Sequence, residues 1–377
     1  MPPNVVDTEA KVEELQYDLD SLDLKKLVRE KGFYGVHPEI FYPPLEPYEH
    51  KDPGHLADPK LASLLDNAEK VFDVTPNIGT EIHGIQLNEL TEQQKNDLAL
   101  LVARRGVVFF RDQKINPKQS LELGRHYGPL HVHNVGAIPP AKNAHEILTI
   151  QIEADNEAYL KRFAGRRPAD GWHSDVSYEL QPSSLAFLKI DTLPPVGGDT
   201  LWASGYEAYD RLSPAWQKFV EGLEAVHSGD VHRETARATG YPLRREAPDN
   251  THPVVRVHPV TGWKALYVQR NFTRRIVGFT KRESDAVLEF LYNHIETGID
   301  FQVRFRWTED AIAVWDNRVT FHAAIPDYLG LGNGGIRHGY RVTPTGERPY
   351  FDAKAKSRRQ GLAEEKEAGA TGAPGTQ

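Results

Sequence analysis

The chain contains no cysteine. That absence removes disulfides, thiolate nucleophiles and every cysteine-ligated zinc or iron–sulfur centre. Any metal must then be held by imidazole, carboxylate or backbone oxygen. No apolar run approaches the roughly 18–20 residues of a membrane span. The opening residues, MPPNVVDTEAKVEEL, lack the basic start and apolar stretch of a secretory signal. The closing GAPGTQ matches no peroxisomal or ER-retention signal. A cytoplasmic protein with no membrane partner is expected. Basic runs with interleaved aromatics are missing, and the net charge is −8, so nucleic acid is not an expected partner either. Also absent are a GxxxxGK[ST] phosphate loop, a GxGxxG after a strand, HExxH and GxSxG.

What is present is abundant turn material, with 30 Gly and 26 Pro in 377 residues, which favours many short strands. Residues 1–70, rich in charge, Pro and Tyr, read as an extension wrapping the core. Residues 71–350 read as one domain. Residues 351–377, polar and Gly/Ala-rich, read as a disordered tail. Capping boxes at Thr91–Gln94 and Thr280–Glu283 and the pair Ser213–Pro214 each announce a helix. Strand-like runs include Val107–Phe110, Leu185–Ile190, Thr200–Ala203, Val254–Val257, Ala265–Val268, Phe301–Arg306, Ala311–Trp315 and Gly339–Val342. In the second half, helices mostly do not alternate one-for-one with strands, which disfavours a doubly wound parallel sheet. The expected class is mostly β with flanking α, around a double-stranded β-helix (jelly-roll) core.

The histidine and carboxylate pattern carries the chemistry. In GWHSDVSY, His173 and Asp175 would project side by side if the segment were a strand. Taken alone, such a pair is more often a hydrogen-bonded core pair than a metal site. His322, ending the run TEDAIAVWDNRVTFH, supplies a third group. Two histidines and one carboxylate are the ingredients of the facial triad that holds Fe(II) and leaves three positions open. Arg337 and Arg341, in GGIRHGYRV, would share one face of a strand. A guanidinium grips an oxyanion bidentately; the plainer reading pairs Arg341 with a neighbouring carboxylate. His131 reads as outward or structural. His126, His227, His232, His252, His258, His294 and His338 show no partner pattern. Asn317 and Arg318 read as braces near His322.

WHSD (Trp172–Asp175), GGDTLW (Gly197–Trp202), WDNRVTFH (Trp315–His322) and RHGYR (Arg337–Arg341) together resemble the Fe(II)/2-oxoglutarate-dependent taurine dioxygenase family, from about Val71 to Tyr350. The resemblance implies His173, Asp175 and His322 as iron ligands. It implies Thr200 and Arg337 on 2-oxoglutarate, the co-substrate, and Arg341, His133 and Val176 on the primary substrate. The implied reaction hydroxylates the carbon next to a sulfonate. Sulfite and an aldehyde leave, and 2-oxoglutarate and O2 become succinate and CO2. Three departures bear on substrate identity: Gly136 stands where a tyrosine is expected, Ala169 where an asparagine is expected, and GLGNGG is inserted before Arg337.

Alternatives share the chemistry on a sulfate ester, an aryloxyalkanoate or xanthine. A different class is a non-catalytic metal- or anion-binding jelly-roll. The expected partners are a small anionic substrate, 2-oxoglutarate and O2, with a homo-oligomer left open. The segment Val135–Leu160 is the candidate lid.

Overall fold

The run Val107–Phe110 forms a strand whose side chains alternate between two cores. Val108 and Phe110 pack with Leu98, Leu101 and Val102 of the helix Glu92–Arg105. Val107 and Phe109 point the other way, towards Trp202, Val303 and Phe305. A strand covered on both faces reads as an unbroken apolar run, which is why VVFF shows no polar alternation.

This computed structural model describes residues 17–32, 35–154, 160, 168–330 and 335–371. Its strands, in chain order, are β1 (Lys70–Asp73), β2 (Thr80–His83), β3 (Val107–Phe110), β4 (Ile147–Glu153), β5 (Leu185–Thr192), β6 (Thr200–Ser204), β7 (Glu224–Ser228), β8 (Asp249–Pro253), β9 (Val255–Val257), β10 (Lys264–Leu266), β11 (Thr273–Ile276), β12 (Gln302–Phe305), β13 (Ala311–Asp316), β14 (Thr320–Ala324) and β15 (Ile336–Val342). A seven-stranded sheet, β1-β2-β3-β13-β5-β15-β4, packs against the three-stranded sheet β12-β6-β14. Phe109 stacks on Phe305 across the interior, ring centres 4.1 Å apart. The result is the jelly-roll expected from the sequence. Two smaller sheets, β10-β9 and β11-β7-β8, contribute to a second core with Leu288, Leu291 and Ile295 of the helix Lys281–Glu296.

The three expected helices form at Glu92–Arg105, Pro214–Val220 and Lys281–Glu296. In the first and third, both capping-box bonds are made. The helix Pro117–Arg125 carries a capping box of its own, from Asn116 and Gln119, which the sequence reading passed over. The tail differs from expectation. Arg358–Thr371 is helical, and it is docked: Arg358 donates to Glu207 at 2.6 Å and the Arg359 amide to Asp210 at 2.9 Å. Composition predicted disorder because these anchors are contributed by a distant segment. Residues 372–377 lie outside the described residues.

The extension lies along the body. The Tyr17 amide donates to Pro140 O, Val36 pairs with Ile138, and the Tyr42 amide donates to Arg244 O. The candidate lid also changes character. Ile147–Glu153 is strand β4, hydrogen-bonded to β15 along seven residue pairs, and is therefore part of the sheet; residues 155–159 lie outside the described residues. No helix among the described residues is long and apolar enough to cross a membrane.

Candidate active site

GWHSDVSY is not a strand. His173 and His322 form a single bridge, amide to carbonyl at 3.0 and 2.7 Å in the two directions. The bridge extends the smaller sheet beyond β14. The chain then turns, and Val176 sits at φ 46, a left-handed conformation rare for a β-branched residue. The turn between β13 and β14 captures this segment. Asn317 Oδ1 accepts from the Asp175 amide at 3.0 Å and from Trp315 Nε1 at 3.0 Å, while Ser174 Oγ donates to Asn317 O at 2.5 Å. These bonds replace the ladder that a strand would have provided.

The outcome still places His173, Asp175 and His322 together, with one ligating atom from each within 4.8 Å of the others. His173 Nδ1 donates to Gly171 O at 2.8 Å. That bond puts the ring proton on Nδ1 and leaves the Nε2 lone pair facing the cluster. Asp175 Oδ1 lies 3.6 Å from His173 Nε2 and 3.7 Å from His322 Nε2. Asp175 Oδ2 is buried with no hydrogen-bond partner. A buried carboxylate oxygen left bare costs several kcal/mol unless something compensates it. A divalent cation fits that requirement, and the donor set is that of a facial triad. Burial alone would raise the Asp175 carboxyl. The Arg341 guanidinium, with His322 and His173, outweighs it and holds the group below the usual carboxylate range. Burial, reinforced by His173, pushes His322 well down, so its imidazole is neutral and able to ligate.

Arg337 is 3% exposed, and no ion pair to it is found among the described residues. Its Nε donates to Gly198 O at 2.8 Å and its Nη2 to Thr200 Oγ1 at 3.2 Å. Trp307 Nε1 donates to the same Thr200 oxygen at 3.0 Å. Gly198 adopts φ +78, and an added Cβ would lie 3.1 Å from Arg337 Cδ, so the GG pair makes room for this side chain. A buried, unpaired guanidinium is a receptor for a carboxylate.

Arg341 is placed differently. Its Nη1 donates to Asp175 Oδ1 at 2.6 Å, the plainer pairing the sequence allowed, while its Nε is buried and unpartnered. His133 Nδ1 accepts from the Gly136 amide at 2.8 Å, which leaves the proton on Nε2. Val176 packs with Tyr178 and Phe272. His131 is buried rather than outward: it lies 3.1 Å from Glu179 Oε1, and Arg245 donates to the same carboxylate at 2.8 Å. Two neighbours escaped the sequence reading. Phe272 lies edge-on to His173, centres 6.3 Å apart, and His232 packs against His133 at 4.7 Å. Neither carries a motif, because their proximity comes from the helix Asp230–Thr239 and the turn before β11.

A family model described as "Taurine catabolism dioxygenase TauD, TfdA family" matches residues 70–343. The chain is 40% identical over 345 residues to an alpha-ketoglutarate-dependent sulfonate dioxygenase of Saccharomyces cerevisiae, covering 88% of this chain and 82% of the relative. It is 42% identical to an alpha-ketoglutarate-dependent dioxygenase of Penicillium expansum, over 86% of this chain and 90% of that one. Among solved structures, a taurine dioxygenase from Burkholderia xenovorans superimposes with TM-score 0.62 at 34% identity, over 75% of this chain and 92% of that chain.

Proposed function

The chain belongs to the taurine catabolism dioxygenase (TauD, TfdA) family, and from that premise we propose that it hydroxylates the carbon next to a sulfonate with Fe(II) and 2-oxoglutarate. The family's dioxygenase activity needs both. The single observation that carries the site assignment is the convergence of His173, Asp175 and His322, one ligating atom from each within 4.8 Å of the others, around a buried carboxylate whose Oδ2 has no partner. His173, Asp175 and His322 would hold the iron. Fe(II) and 2-oxoglutarate together supply O2 activation, coupling loss of CO2 from the oxo acid to hydroxylation of an unactivated C–H.

The chain's own residues then position and neutralise. Arg337 takes the distal carboxylate of 2-oxoglutarate where low dielectric makes a charge-assisted pair strong. Thr200 Oγ1, already accepting two bonds, has its own proton free to donate to the co-substrate. Arg341 reaches the substrate's anion through its free Nε while its Nη1 keeps Asp175 ionised and oriented. Val176 and Phe272 give the substrate's carbon chain an apolar wall. Placement decides the outcome, since an error of about 1 Å can cost on the order of 100-fold. The hydroxylated carbon, bearing both hydroxyl and sulfonate, collapses by breaking the C–S bond. The electron pair leaves on sulfite and the hydroxyl proton is lost, giving the aldehyde. Action in the cytoplasm belongs to this proposal and is checked by fractionation.

The test adds O2 to iron-loaded protein with 2-oxoglutarate and one anion at a time: alkanesulfonates including taurine, an alkyl sulfate, an aryloxyacetate and xanthine. Succinate and sulfite rising in step with a sulfonate support the proposal. Succinate rising only with another compound rejects the sulfonate.

A further inference from the structure

A cluster of rings stands beside His173. Phe272 faces it, and His232 lies 5.5 Å from Phe272, 5.2 Å from Tyr178 and 4.7 Å from His133, centre to centre. Tyr178 spends its hydroxyl on Asn134 Oδ1 at 2.6 Å. His232 has no such outlet: its Nε2 is buried with no hydrogen-bond partner. A buried ring nitrogen left uncompensated is costly, and most such groups in native proteins meet a partner, a water or a ligand. His133 Nδ1 is occupied by the Gly136 amide, so its Nε2–H is also free to donate.

We infer that His232 is a substrate-contacting residue, completing with His133 and Arg341 a three-donor cradle for a tetrahedral –SO3 head group. The inference rests on the sulfonate reading above and extends it to a residue that no sequence motif marks. Its chemical content is the match of donors to oxygens. A sulfonate or sulfate ester presents three acceptor oxygens in a tripod. A carboxylate presents two in a plane and leaves one donor unmet. Burial keeps both imidazoles neutral, so they add N–H donors without adding charge. Arg341 supplies the one cation that balances the anion.

The packing at position 136 supports this division of labour. A Cβ on Gly136 would lie 2.1 Å from Leu148 Cδ1 and 2.9 Å from His133 Nδ1. A side chain at 136 would require Leu148 to shift, and the glycine present brings no donor of its own. His232, on the helix Asp230–Thr239, stands against His133 in the position to provide it.

The experiment is calorimetric titration under argon of protein loaded with Fe(II) and 2-oxoglutarate, using 1-butanesulfonate and pentanoate. His232→Phe keeps a ring and removes the donor; His232→Gln keeps a donor near the Nε2 position. We expect His232→Phe to weaken butanesulfonate about tenfold, the loss of one neutral hydrogen bond. Pentanoate and 2-oxoglutarate should be unchanged, and His232→Gln should recover most of the sulfonate affinity. Unchanged butanesulfonate binding in His232→Phe overturns the inference. So does equal loss of all three ligands in both variants, which would make His232 a packing residue. Wild-type protein that binds 2-oxoglutarate but no sulfonate rejects the sulfonate reading itself, whatever the variants do.

Discussion

Asp175 divides its two oxygens between an internal cation and an open position. Oδ1 takes Arg341 at 2.6 Å; Oδ2 meets nothing. Arg337, four residues earlier on β15, has no ion pair to a carboxylate among the described residues; it donates to Gly198 O and Thr200 Oγ1 and lies 5.7 Å from the Trp307 ring centre. The two arginines therefore differ in what their loss removes. Arg337→Met should raise the 2-oxoglutarate dissociation constant about 100-fold, the scale of a lost buried charge-assisted pair, and leave iron stoichiometry intact. Arg341→Met should weaken the sulfonate by a similar factor and 2-oxoglutarate far less. Parallel titrations of both ligands decide it; matching losses in both variants would contradict the division. At this scale the sequence was readable where chemistry is local. WHSD, GGDTLW and RHGYR each keep their polar groups within a few residues. It was silent on His131–Glu179–Arg245, whose members stand 48 and 66 residues apart in the chain.

Elements position the site through the turn between β13 and β14. Arg318 there is 2% exposed and pairs with Asp316 at 2.7 Å, with Glu347 at 3.2 Å and with Asp52 of the extension at 2.5 Å. His258 lies 2.9 Å from Asp316, closing the network. The extension is thus tied directly to the turn that orients Asn317 and leads into His322. Asp52→Ala leaves a buried guanidinium with one carboxylate fewer, and breaking such a pair costs about 3 kcal/mol. Urea unfolding should show that loss as a lower midpoint with an unchanged slope. An effect under about 0.5 kcal/mol, the range of an ordinary surface change, would mean that the extension does not brace the turn. The sequence announced helices through their caps, because capping is a contact between residues three apart. It announced most central strands through apolar runs. It did not announce β1, β2, β4, β7, β8, β11 or the docked helix Arg358–Thr371, whose stability comes from partners elsewhere.

Over the whole molecule, buried histidines set the response to acid. His37 and His252 are each pushed down to about 4, in both cases chiefly by burial, with Arg244 adding to the effect at His37 and Arg256 at His252. An unfolded histidine titrates near 6.5. Between about 6.5 and about 4 the unfolded chain therefore binds protons that the folded chain refuses, so stability falls as pH falls through that window. Carboxylates act lower. Burial would raise Asp52 and Glu347, but Arg318 first among their neighbours holds both below their ordinary values. Their contribution is complete above the unfolded carboxylate range, about 4, and is lost only below it. The acid limb should thus have two parts: a histidine part that begins below about pH 6.5 and a carboxylate part below about pH 4. Chelated, metal-free protein isolates these groups from pH-dependent metal binding. Unfolding free energies at pH 8, 6.5, 5 and 4 should be level across the first pair and then decline. The double substitution His37→Gln, His252→Gln should lower stability at pH 8, where packing is lost, yet flatten the decline from 6.5 to 4. A slope in that window as steep as the wild type's would show that other groups govern it, and the neutral buried state of these two histidines would have to be abandoned.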